Sequence, residues 1–167
     1  MYANLTDTSE VVEIDAKSAT VARRWPTAPC RQPVAMAIDT AHHRLFSGCR
    51  SGLLAVSNYQ TGAMVATAPI GTGVDGAGYD AVSGDIFASN ADGTLTVIHQ
   101  DDADHYHVSE TVQTAVAARN MGFDPTNRRL FLVSAKFGPA AAGGRGRGAV
   151  LPGSFTLMVV ERDRTGR

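Results

Sequence analysis

The sequence predicts an all-β chain, a partial β-propeller of about three four-stranded antiparallel blades with one further strand at each end. Two observations predict it. A motif recurs along the chain every forty-odd residues, and between its copies short apolar stretches alternate with connections rich in Gly, Asn, Asp and Pro.

The motif is an apolar-Asp pair, a turn, and an apolar stretch with Phe. It occurs as AMAIDTAHHRLFSG, GAGYDAVSGDIFAS and NMGFDPTNRRLFLVS. Asp39, Asp80 and Asp124 each precede Phe46, Phe87 and Phe131 by seven positions, and successive copies are offset by 41 and 44. Both spacings recurring by chance is improbable. Asp side chains bond nearby backbone N–H groups in tight turns, so a carboxylate repeated in this way reads as a turn residue rather than a catalytic one.

The strands follow in order. The first unit, about residues 11–49, offers Val11 to Asp15, Thr20 to Trp25, Val34 to Asp39 and Leu45 to Cys49. The second, 53–89, offers Leu53 to Ser57, Met64 to Ile70, Gly76 to Asp80 and Asp85 to Ser89. The third, 94–134, offers Leu95 to His99, Tyr106 to Val112, Asn120 to Asp124 and Leu130 to Ser134. Four strands per forty-odd residues is the size of one blade. No stretch carries a helical period. An insert at 137–154 interrupts the repeat, and a last strand at 155–161 arrives roughly 18 residues late by the repeat spacing. All 167 residues are read as a single domain.

Composition narrows the function classes. Fifteen Lys and Arg against sixteen Asp and Glu leave a net charge of -1, so no general basic field exists to hold nucleic acid. No apolar run reaches membrane-spanning length, and YANLTDTSE after Met1 lacks the basic and apolar regions of a signal peptide. The two cysteines permit one bridge at most. Cys30 precedes one strand of the Asp39 hairpin and Cys49 ends the other, so the two are expected close together, with a bridge if the loop before Pro33 folds back.

The segments SEVVEIDAKSATVARRWPTAPC, AIDTAHHRLFSGC, DGTLTVIHQD and LPGSFTLMVVER resemble the YVTN-type β-propeller proteins of bacteria, along nearly the whole chain. The resemblance implies a seven-bladed ring in an intact parent, and a periplasmic or secreted location for it. MYANLTDTSE looks like the last strand of a preceding blade, which makes this chain resemble the carboxy-terminal portion. Related propellers include sugar-lactone hydrolases.

Propeller ligands bind where connections from several blades converge. The connections expected to share a face are 27–32, 71–75 and 114–119, with those at Arg50, 90–92 and 135–137. They offer Arg31, Arg50, Asp75, Asn90, Asp92, Arg119 and Lys136, a mixed set suited to an acidic or hydroxylated ligand. The expected function is non-enzymatic binding of an unidentified protein or small molecule. The alternative is lactone hydrolysis, in which Arg50 and Arg119 stabilise an oxyanion and Asp75 activates water.

No catalytic residue, metal or cofactor is assigned. His99, His105 and His107 lie near Asp101, Asp102 and Asp104 but match no zinc or calcium pattern. His42 and His43 read as turn residues, and Trp25 as packing between blades. There is no GxSxG elbow, and GGRGRG reads as a flexible insert. An open arc exposes its end blades, so a homodimer or aggregate is expected in solution rather than a monomer.

Overall fold

A computed structural model describes residues 1–139 and 148–162. Among these residues, fourteen strands form four antiparallel sheets. The first sheet holds β1 (Tyr2–Leu5), β2 (Glu10–Asp15) and β3 (Thr20–Pro26). The second holds β4 (Pro33–Asp39), β5 (Arg44–Cys49), β6 (Leu53–Asn58) and β7 (Met64–Pro69). The third holds β8 (Gly76–Asp80), β9 (Asp85–Ser89), β10 (Thr94–Gln100) and β11 (Tyr106–Gln113). The fourth holds β12 (Asn120–Asp124), β13 (Arg129–Ser134) and β14 (Thr156–Glu161).

The predicted strands are present, but they group differently from the expected units 11–49, 53–89 and 94–134. The second, third and fourth sheets each begin at the Asp-bearing strand, and every sheet runs across a predicted unit boundary. A periodic pattern reveals its period without its origin. The turn within a hairpin and the link between sheets are both short and turn-rich, so nothing local distinguishes them. Likewise β14 does not open a new unit. It pairs with β13 across the inserted segment, from Arg129↔Glu161 to Ser134↔Thr156.

The hairpin turns show why this sequence reverses where it does. Asp39 Oδ1 accepts from the N–H groups of Ala41 and His42, Asp80 Oδ1 from that of Val82, and Asp124 Oδ1 from those of Thr126 and Asn127. Four residues after each Asp the chain turns left-handed, at His43, Gly84 and Arg128. Asp15 and Asn58 build the same turn in the outer hairpins.

The sheets stack face to face, and the core lies between them as slabs. Val11, Trp25 and Leu45 fill the first interface, Phe46, Leu54, Val56, Ile86 and Ile98 the second, and Leu95, Leu130 and Leu132 the third. Strand β5 is buried along its whole length because both of its faces are covered. Strand β4 packs on β8 and β8 on β12, so the first strands of these sheets lie together at the inner side, while β7 and β11 lie at the outer side. Trp25 does pack between sheets, donating from Nε1 to Ser57 Oγ at 3.1 Å.

Candidate functional site

At one end of the stack, the links between sheets interlace with the second hairpin of each sheet. Arg50 N–H donates to Gln32 C=O at 3.0 Å, and Arg31 N–H to Ser51 Oγ at 2.9 Å. Ala91 N–H donates to Thr72 C=O at 3.0 Å, and Ala117 N–H to Ala91 C=O at 2.8 Å. The connections expected to share a face do so, although those at 27–32, 71–75 and 114–119 are links between sheets and the others lie within sheets.

The candidate residues divide by what holds them. Asn90 is fully buried, and its Nδ2 lies 3.1 Å from Ala88 C=O and from the Thr94 and Thr96 hydroxyls. Its amide shapes the β9–β10 turn. Asp92 Oδ2 accepts from Thr72 N–H at 2.6 Å and Oδ1 from the Thr94 hydroxyl at 2.7 Å. Partial burial pushes its carboxyl pKa up, and these bonds outweigh that and hold it below the ordinary value. Asp75 and Arg119 stand at the starts of β8 and β12 and pair at 3.5 Å, each about a third exposed.

Arg31, Arg50 and Lys136 are exposed, and among the described residues none of these side chains pairs with an acid. Of the carboxylates on this face, Asp75 and Asp92 are committed, and Asp7 in the β1–β2 turn has no ion-pair partner among the described residues. The face therefore presents cations over a base of satisfied backbone.

The opposite end holds groups that the repeat only half revealed. Gln100 Nε2 donates to Asp39 Oδ2 at 3.1 Å, and Tyr79 donates its hydroxyl proton to Gln100 Oε1 at 2.6 Å. Burial, then the Asp39 carboxylate, pushes the Tyr79 hydroxyl up to about 12. Arg44 reaches the third sheet, donating from Nε to Ala103 C=O at 2.8 Å and from Nη2 to Asp104 at 2.7 Å. Arg128 of the fourth sheet donates to Asp80 Oδ2 at 2.6 Å. An Arg beside two of the three turns, in HHR and NRR, was the available sequence signal; nothing marked Gln100.

Four of the five histidines pair singly with acids, His105 with Asp102 and His107 with Asp101 among them, and His43 meets the Tyr59 hydroxyl instead. Among the described residues no group of three or more His, Cys, Asp or Glu is arranged to hold a metal ion, and no helix is long and apolar enough to cross a membrane. Of the insert, Phe137 bridges Val150; GGRGRG lies almost wholly outside the described residues.

Solved structures supply the comparison. The chain is similar to Kuenenia stuttgartiensis hydrazine synthase, with a TM-score of 0.73 at 15% identity over 96% of this chain and 44% of that one. It is also similar to a chain of the mitotic checkpoint complex, with a TM-score of 0.68 at 18% identity over 78% of this chain and 41% of that one. The fold is a partial β-propeller. Its four sheets are blades, and the chain spans less than half the length of either neighbour. No protein-family model and no curated protein sequence matches it.

Proposed function

We propose that this chain is part of a non-enzymatic β-propeller scaffold that binds an acidic protein segment or small molecule on its loop face, through Arg31 and Arg50 with Lys136. One observation carries the reading: on that face Arg31, Arg50 and Lys136 have no ion-pair partner among the described residues, while Asp75 and Asp92 are already bonded. A carboxylate or phosphate arriving there meets donors that need not leave another partner, and charge-assisted hydrogen bonds are the strong ones. Kinship with the YVTN-type propellers, and a periplasmic or secreted parent, belong to the same reading. The Cys30–Cys49 disulfide supports an oxidising compartment.

Fluorescence anisotropy with a labelled polyglutamate peptide tests the proposal. Binding is expected to weaken about tenfold in the Arg31→Ala/Arg50→Ala double variant, the loss of roughly one charge-assisted bond. Unchanged affinity in that variant overturns it.

A further inference from the structure

In the second and third blades the outermost position is filled by a strand, β7 or β11, whose inward side chains pack across the interface between these blades. The described part of the fourth blade stops at β14. Its far edge has no strand partner among the described residues, and between β14 and β11 lies an open groove of about 850 Å³.

The groove is built for a strand in three respects. Its floor is apolar, with Leu95, Val97, Val112, Leu130 and Val160. One side is a strand edge six residues long, Thr156–Glu161, unpaired among the described residues, whose backbone groups an extended segment satisfies in register. The corresponding place in both preceding blades holds a strand. The lining also carries Asp80, Asp85, Glu110 and Glu161 against Arg128 and Arg162, an excess of acid. Asp80 and Asp85 already meet these two arginines, and Glu161 meets Arg129, whereas Glu110 has no ion-pair partner among the described residues.

We infer that this groove accepts an extended polypeptide segment, added antiparallel to β14 as the outer strand of the fourth blade. The segment carries apolar side chains at alternate positions and Lys or Arg facing Glu110. A second copy of this chain is the weaker occupant, because its own outer strands β3, β7 and β11 are already paired within their sheets.

The test is anisotropy with a labelled peptide of alternating valine and lysine. Saturable binding is expected, about tenfold weaker in Glu110→Lys, intermediate in Glu110→Gln, and lost when alternate residues of the peptide are proline, which cannot donate to a strand edge. Arg31→Ala/Arg50→Ala should leave it unchanged, which separates this groove from the loop face. Glu110 is exposed on the outer strand, so thermal melts should show both variants folded. Equal binding of the proline peptide would reduce the contact to charge alone and overturn strand addition. Indifference to Glu110→Lys would overturn the assigned groove. Self-association that excludes the peptide would hand the site to a second copy.

Discussion

Asp39, Asp80 and Asp124 occupy one place in three successive blades, yet their second oxygens have different fates. Asp39 Oδ2 reaches Gln100, 61 residues on, and Asp80 Oδ2 reaches Arg128, 48 residues on. Among the described residues, Asp124 Oδ2 bonds only Asn127 of its own turn. The turn role was legible in the sequence because it is local; the latch between blades was not, because its partner is set by stacking. Burial of Asp39 and Asp80 pushes their pKa values up, but the bonds to each carboxylate outweigh it and hold both below the ordinary value. Their stabilisation is complete above the unfolded pKa of about 4 and is lost as pH falls through the folded values. Urea unfolding should show that Asp39→Ala costs about 2 to 3 kcal/mol at neutral pH. It should also show a flatter acid limb than the parent, with a clearly smaller loss for Asp124→Ala. Equal losses for the two would deny the latch.

At the scale of elements, the disulfide ties the link before β4 to the end of β5. Pro33 stands opposite Cys49, and the link folds back so that the Cα atoms of Cys30 and Cys49 lie 5.7 Å apart. The proximity was legible from hairpin counting; the fold-back was not, because it depends on Thr27, whose hydroxyl donates to Cys30 C=O at 2.8 Å. The bridge closes a sequence separation of 19, which restricts the unfolded chain by roughly 3 kcal/mol. Cys30→Ser/Cys49→Ser should lose about that much in denaturant unfolding, and dithiothreitol should mimic it in the parent. The strands were legible because alternation fixes each one locally, while the origin of the repeat was not. What decides it is that β3 turns away from β4 instead of pairing with it.

For the whole molecule, the informative feature is a face with no covering sheet among the described residues. Phe46 is fully buried beneath the third blade, and Phe87 lies against Phe123 of the fourth at 5.4 Å between ring centroids. Phe131 holds the same place with no blade upon it. A methyl group built on Gly78 would lie 3.3 Å from Met121 and Phe123, whereas one on Gly122, its counterpart, meets nothing within 4 Å. Leu157 and Val159 on this face are 56% and 52% exposed. Apolar sheet faces of this kind associate. Light scattering over a concentration series should therefore show self-association that Phe131→Lys/Leu157→Lys abolishes without lowering the melting temperature. A parent that stays monomeric throughout would count against it. The loop-face cations were legible as a list of residues, but their lack of partners depends on contacts made by neighbouring loops.

The disulfide also bears on what happens when the chain is cut. The Asp39 turn, with Ala41 and His42 exposed, lies inside the covalent loop that Cys30 and Cys49 close. Cleavage there leaves two pieces joined through sulfur, with β4 still paired to β5, so the nicked protein should migrate as one band on a gel until reductant is added. A protease acting at the equivalent Asp80 turn, which no such bond spans, should release two pieces under either condition once the fold is denatured.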